Sequence, residues 1–275
     1  MDKRAIGIFD SGLGGLTTVR EMKKILPHED IIYFGDTGRV PYGTRSNETI
    51  KKYAKQDINF LLKHDVKMII AACNTASAII SEDVVCNIEA QYTGVLAPAV
   101  SRAIKTTKNG RIGVIGTQAT IKSCAYEKAL MALNSDLQIF GVSCPLFVPL
   151  VENGFTDKNN EVTHLVAEQY LSKLKELSID TLILGCTHYP IISTIIKDIM
   201  GDKVVLIDSG QEAARYAKEI LVEKSMLTSN VDSGKISFFV SDSTDSFSNS
   251  ACIILGEPLQ LGSHLDVKKI DIELY

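Results

Sequence analysis

The sequence predicts an α/β fold of two similar halves, each with a mainly parallel sheet of the Rossmann-like or flavodoxin-like kind, and an active-site cleft between them. Three observations carry this expectation. Short runs rich in Val, Ile and Leu alternate with longer amphipathic stretches along the chain, as successive βα units require. The runs are apolar at nearly every position, as in MIIAAC (68–73) and TLILGC (181–186), which suits strands covered by helices on both faces. A weak internal repeat is also present: AIGIFDSG at 5–12 is echoed by RIGVIGTQ at 111–118, and Cys73 and Cys186 lie 113 residues apart in similar local settings.

Taken in order, the expected strands are AIGIFD (5–10), which runs into an acidic, glycine-rich turn, and DIIYFGD (30–36), which ends in a second acidic turn. VKMIIAAC (66–73) follows, then YTGVLAP (92–98), closed by Pro98. The second half repeats the plan with RIGVIGT (111–117), LQIFGVSC (137–144), DTLILGCT (180–187) and KVVLIDS (203–209), and KISFFVSD (235–242) comes last. The clearest helix is 160–178, where Val162, Leu165, Val166, Leu174 and Leu177 are expected on one face and lysines and glutamates on the other. Residues 1–97 with 209–275 are assigned to a first domain and 98–208 to a second. Periodicity alone does not decide whether the tail returns to the first half.

With 275 residues and 45% hydrophobic content, the chain can build two cores of ordinary size. A net charge of −4 with scattered lysines offers no basic stripe for nucleic acid. No apolar run reaches spanning length, and MDKRAIGIFDSG passes from charge straight into a strand, so neither a membrane nor a signal peptide is expected and the location is read as cytoplasmic. Six cysteines, none in a CxxC pair, are then free thiols.

In parallel α/β sheets, ligands bind beyond the carboxyl ends of the strands. The polar clusters sit there: Asp10-Ser11-Gly12, Asp36-Thr37, Cys73-Asn74-Thr75, Thr117 with Thr120, and Cys186-Thr187-His188. Most cysteines in apolar stretches are core thiols. Cys86 and Cys124, on helical faces, and Cys252 fit that reading, and Cys144, before Pro145 and without a matched partner, is read as structural. Cys73 and Cys186 differ. Each ends a strand and precedes hydroxyl or amide residues and a helix start, whose dipole favours a thiolate. Spacing gives no support to a metal site built from Cys73, Cys186, His188 and Asp10, and neither metal nor cofactor is expected.

In DSGLGGLTTVRE, Thr17 stands where a dinucleotide fingerprint wants glycine, and the Walker lysine is missing. Asp10 there would repel phosphate and suits an ammonium group. The second DSG, at 208–210, is read as a turn and helix cap at Asp208 and Ser209. Two matched thiols across a cleft suit inversion of a carbon that bears a hydrogen. One takes the proton from one face while the other delivers a proton to the opposite face, provided the site stabilises the charge that develops between.

DSGLGGLT (10–17), GDTGRVPYG (35–43), AACNTAS (71–77), GTQAT (116–120), the VENG around Glu152 and GCTHYP (185–190) together resemble the glutamate racemases. The resemblance spans most of the chain in order. It implies cofactor-independent interconversion of L- and D-glutamate by two cysteine thiols, supplying D-glutamate for peptidoglycan. Cys73 and Cys186 are then the acid/base pair, with Asp10 assisting Cys73, and Glu152 and His188 assisting Cys186. Ser11, Tyr42, Gly43, Asn74, Thr75 and Thr187 match substrate-binding positions, and Thr117 and Thr120 are candidate donors to the substrate's carboxylates. A helix cap for Asp10, a solvated charge for Glu152 and a hydrogen-bonded core histidine for His188 are the alternatives. Only four residues precede the first strand, so an N-terminal extension of the kind some relatives use for activation by a cell-wall precursor is not expected. The expected partner is glutamate itself, and a homodimer is compatible with the sequence. Rival readings are aspartate racemase, a non-catalytic amino-acid-binding regulator, a partner-inhibiting protein, and a pyridoxal phosphate enzyme, whose lysine and phosphate cup nothing here resembles.

Overall fold

The nine expected runs become strands β1 (Ile6–Asp10), β2 (Ile31–Gly35), β3 (Met68–Ala71), β4 (Gln91–Gly94), β5 (Arg111–Gly116), β6 (Gln138–Ser143), β7 (Thr181–Gly185), β8 (Val205–Asp208) and β9 (Ile236–Val240), and a short strand not expected from the sequence, β10 (Val267–Lys269), joins them. The structure, a computed structural model, describes residues 1–255 and 266–275, and of Ser246, Asn249, Ser250, Cys252 and Ile253 only the backbone. The expectation for Cys252 lies outside the described residues. β1, β3 and β7 are buried at every position, which is why their sequences lack alternation.

The strands form two sheets in which every described pairing is parallel. One sheet has the order β10-β9-β2-β1-β3-β4 and the other β6-β5-β7-β8. The repeat seen in sequence is therefore architectural: β2-β1-β3-β4 in one sheet matches β6-β5-β7-β8 in the other. In each, the first strand of the repeat has neighbours on both sides, so its connections diverge and open a crevice at its carboxyl end. Asp10 and Cys73 flank that crevice in the first sheet, and Thr117 and Cys186 flank it in the second.

The tail returns to the first sheet, with Ile236 of β9 in register with Ile31 of β2. The helix Ser209–Glu223, which leads back, shares a core with Leu16, Val19 and Met22 through Ala213, Ala214 and Ala217. This pairing supports the division we propose, 1–97 with 209–275 against 98–208.

Three expectations are corrected. β4 stops at Gly94, and Leu96–Thr106 is a helix with Pro98 in its first turn, where proline's missing N–H costs no hydrogen bond. Its Ala99, Val100 and Ala103 pack into the core of the second sheet. The helix at 160–178 spans Glu161–Glu176 and buries Thr163, Ala167, Leu171 and Leu174, whereas Val162 and Leu165 are 48% and 72% exposed. Of the expected face, Leu174 is buried and Val166 and Leu177 pack partly against the same core, which also takes Ala167 and Leu171, so the packed face is rotated away from Val162 and Leu165 toward the core that holds Ile195, Ile196 and Ile199. Finally, Cys86 and Cys124 are exposed, because both sit at helix ends, flanking Glu82–Val85 and Ala125–Leu133.

Candidate active site

β1 delivers Asp10 as its last residue, and the turn that follows leads directly into the helix Leu16–Ile25. The carboxylate is 1% exposed. Its Oδ2 accepts the Gly12 N–H at 2.9 Å, while Oδ1 has no hydrogen-bond partner among the described residues. Tyr33 braces the same turn by donating its hydroxyl to the Gly12 carbonyl at 2.8 Å. Cys73 lies just past β3 at the N-cap of the short helix Asn74–Ile79, and its thiol donates to Ser11 Oγ at 3.6 Å.

The second sheet presents the counterpart. Cys186 follows β7 directly, with its sulfur 3.9 Å from His188 Nδ1, and His188 Nε2 lies 3.0 Å from Glu152 Oε1. Glu152 is the last residue of the helix Phe147–Glu152. Cys73 and Cys186 both line one cavity of about 390 Å³, at the small end of the roughly 300–1,000 Å³ typical of ligand sites. Ser11, Tyr42, Gly43, Asn74, Thr75, Thr117, Glu152, Thr187 and His188 also line it, whereas Asp10 and Thr120 stand behind the wall.

Electrostatics distinguish the two sides. Burial, reinforced by the Asp10 charge, pushes the Cys73 thiol up to about 12. The short helix behind it does not outweigh desolvation, so burial works against the thiolate expected there from the helix dipole. Burial likewise raises the Asp10 carboxyl, against the pull of His188 and the Gly12 N–H. At His188, burial alone would lower the imidazolium. Hydrogen bonds to Cys186 and Glu152 more than offset it and raise the group to about 10. Near neutral pH the Cys73 side therefore holds a thiol before a buried carboxyl group, and the Cys186 side a protonated imidazole hydrogen-bonded to Glu152.

The hydroxyls of Thr75, Thr117 and Thr120 form a triangle with sides of 2.9, 3.0 and 3.3 Å. Thr75 and Thr117 face the cavity with Thr120 bracing them. Tyr42 turns its hydroxyl away, donating to Asp36 at 2.5 Å with Asp57 Oδ2 3.0 Å off. Asp36 is fully buried and paired to Arg39 at 2.7 Å, so the Asp36-Thr37 cluster shapes the loop that carries Tyr42 and Gly43 and does not itself line the cavity. Asp208 caps its helix by accepting from Gly210 and Gln211 N–H. Among the described residues, no group of three or more His, Cys, Asp or Glu is arranged to hold a metal ion.

A family model described as Asp/Glu/Hydantoin racemase matches residues 13–217, a span that contains both thiols. The chain belongs to that family. A glutamate racemase from Geobacter metallireducens is 46% identical over 99% of this chain and 98% of its own length. Two solved relatives share the fold throughout. One is a glutamate racemase from Bacillus anthracis, 38% identical, covering 98% of each chain with a TM-score of 0.91. The other is the Francisella tularensis glutamate racemase in complex with D-glutamate, 38% identical, covering 100% of each chain with a TM-score of 0.89.

Within this racemase scaffold, two residues at the cleft, Cys144 and Thr17, are not among the site residues the sequence marks. Cys144, which the sequence leaves as a structural thiol, is fully buried and lines the cavity. Thr17, read in sequence only as the residue that stands where a dinucleotide fingerprint wants glycine, lies with its hydroxyl 2.8 Å from the Gly14 carbonyl and 3.1 Å from that of Thr187. Its place at the end of the DSGLGGLT stretch is the one signal that could have marked it.

Proposed function

We propose that this protein is a glutamate racemase that interconverts L- and D-glutamate with Cys73 and Cys186 as its two acid/base groups. The observation that carries the reading is the pair of thiols, one from each sheet, lining a single cavity with different proton-handling partners behind them. The substrate assignment is supported by the near full-length glutamate racemase relatives.

In the proposed mechanism, one thiolate removes the α-proton and the opposite thiol returns a proton to the other face. The enzyme is then poised for the reverse reaction, so no external acid or base is consumed. Asp10 serves the Cys73 side. Glu152 and His188 serve the Cys186 side, where the imidazolium puts a proton donor beside the sulfur. Ser11, Gly43, Asn74, Thr75, Thr117 and Thr187 hold the substrate, and the buried Asp10 carboxylate attracts its ammonium. Oriented donors matter because negative charge develops at the α-carbon and its carboxylate, and fixed dipoles stabilise it without reorganising. The thiolate is itself the base and the opposite thiol the acid, so the proposed chemistry calls for no cofactor. We also propose that the product feeds peptidoglycan synthesis, which places the enzyme in the cytoplasm. No helix among the described residues is long and apolar enough to cross a membrane.

The test is incubation of L-glutamate in heavy water with the purified protein alone. The reading expects loss of optical rotation together with deuterium at the α-carbon. Exchange of aspartate without exchange of glutamate would move the substrate to the shorter dicarboxylate.

A further inference from the structure

We propose that Tyr126 and Ser209 are positioning residues for the two-thiol reaction, acting through Asn74 to hold the strand end that carries Cys73 in register with the strand end that carries Cys186. The inference rests on the racemase reading above. Asn74 directly follows Cys73. Tyr126, from the helix Ala125–Leu133, donates its hydroxyl to Asn74 Oδ1 at 2.5 Å. Asn74 Nδ2 donates to Ser209 Oγ at 3.0 Å, and Ser209 Oγ donates to the Leu184 carbonyl at 3.0 Å. Leu184 lies in β7, two residues before Cys186. Hydrogen bonds thus run from the residue after one thiol to the strand that ends in the other.

The direction of every bond is forced. A carbonyl only accepts, so the Ser209 hydroxyl gives its proton to Leu184 and must accept from Asn74. The amide oxygen then faces Tyr126, which donates. Turning the amide over would aim its oxygen at a hydroxyl whose proton is already in use. Tyr126, Asn74 and Ser209 are 3%, 2% and 1% exposed, so water does not replace a bond that is lost.

Racemisation requires both sulfurs to address one α-carbon from opposite faces, and a misplacement of about 1 Å can cost roughly 10²-fold in rate. A one-thiol reaction is less demanding. With a glutamate that carries chlorine at the β-carbon, one thiolate takes the α-proton, the electron pair forms the Cα–Cβ double bond, and chloride departs. A link that sets the relative position of the two sulfurs therefore affects racemisation more than elimination.

The experiment compares racemisation and elimination in Tyr126→Phe and Ser209→Ala. We expect racemisation kcat to fall about tenfold or more with KM within about threefold, and elimination to change by less than about threefold. The double variant should be no worse than the weaker single one, because both substitutions act through Asn74. Equal losses in both reactions, unchanged racemisation, or independent multiplicative losses would overturn the proposal. Should Ser209→Ala fail to fold, Tyr126→Phe keeps the ring and carries the same test, and Ser209→Thr, which retains the hydroxyl, should restore activity. Absence of racemisation in the unmodified protein would overturn the racemase reading and this inference with it. An active parent with unaffected variants would overturn this inference alone.

Discussion

Gly14 lies so close beneath Thr187 that a β-carbon on it would sit 2.1 Å from Thr187 Oγ1 and 2.7 Å from the His188 ring. This approach seats the loop after β1, with Asp10 and Ser11, against the loop after β7, with Cys186. Gly43 makes the matching approach on the other side, where a β-carbon would meet Thr117 Cβ at 2.8 Å.

The glycine contacts give the first prediction. Gly14→Ala and Gly43→Ala should each lower kcat for racemisation by about 10²-fold, because the loops must part to admit a methyl group. Circular dichroism should stay unchanged, since Gly14 lies in a turn and Gly43 in a single 3-10 turn of three residues. A kcat within about threefold of the parent would show that the loops tolerate separation.

Asp10 gives the second. Its charge helps to hold the Cys73 thiol high, so Asp10→Asn should bring the alkylation midpoint of Cys73 below about 12. If Asp10 also assists proton movement, turnover should fall although the thiol ionises more readily. The two enantiomers are equally stable, so kcat/KM must fall equally in both directions while kcat is free to fall unequally. Faster turnover in Asp10→Asn would leave Asp10 as a repulsive charge without a proton-handling role.

His188 yields a pH prediction for stability. Its folded-state pKa, near 10, is raised above the ordinary 6.5, so the stability it contributes is fully present below about 6.5 and is lost as pH rises through about 10. Urea midpoints should therefore decline across that window, and His188→Gln should flatten the decline. An unchanged slope in the variant would remove His188 as the source.

A fourth prediction concerns stability away from the cleft. Lys67 Nζ meets Glu29 Oε2 at 2.5 Å with both side chains almost fully buried, and it also donates to the carbonyls of Asp2 and Met226. Lys67→Met would leave Glu29 buried without its cation and should cost about 3–5 kcal/mol, read from denaturant titration. KM for glutamate should not change. A loss below about 1 kcal/mol would mean that the Thr228 N–H, which also donates to Glu29 at 2.8 Å, satisfies the carboxylate by itself.

Much of this was legible in the sequence, for identifiable reasons. Uniformly apolar strands gave away parallel sheets, and the repeated cysteine setting foreshadowed the matched strand orders around Cys73 and Cys186. Contacts at long sequence separation left no such mark. Tyr126 and Ser209 reach Asn74 only after both halves fold, and Ser209 looks in sequence like one more capping residue beside Asp208. The face of Glu161–Glu176 is legible only in part: Leu174, Val166 and Leu177 pack on the core as expected, but a count of large side chains does not mark Thr163 and Ala167 as buried, so it places Val162 and Leu165 inside when both are exposed. The β-strand at 267–269 is too short and too charged to register in a hydrophobic pattern.

The central claim is that Cys73 and Cys186 act on opposite faces of one α-carbon, and the measurement that tests it most directly is elimination of chloride from the two enantiomers of β-chloroglutamate by Cys73→Ser and Cys186→Ser. Either variant should lose racemisation by about 10²–10⁴-fold or more, since a serine hydroxyl is a far weaker acid and base partner. Each should retain elimination from one enantiomer and lose it from the other, and the two variants should show opposite preferences. A shared preference for the same enantiomer would contradict the account, because the two thiols could not then flank the α-carbon.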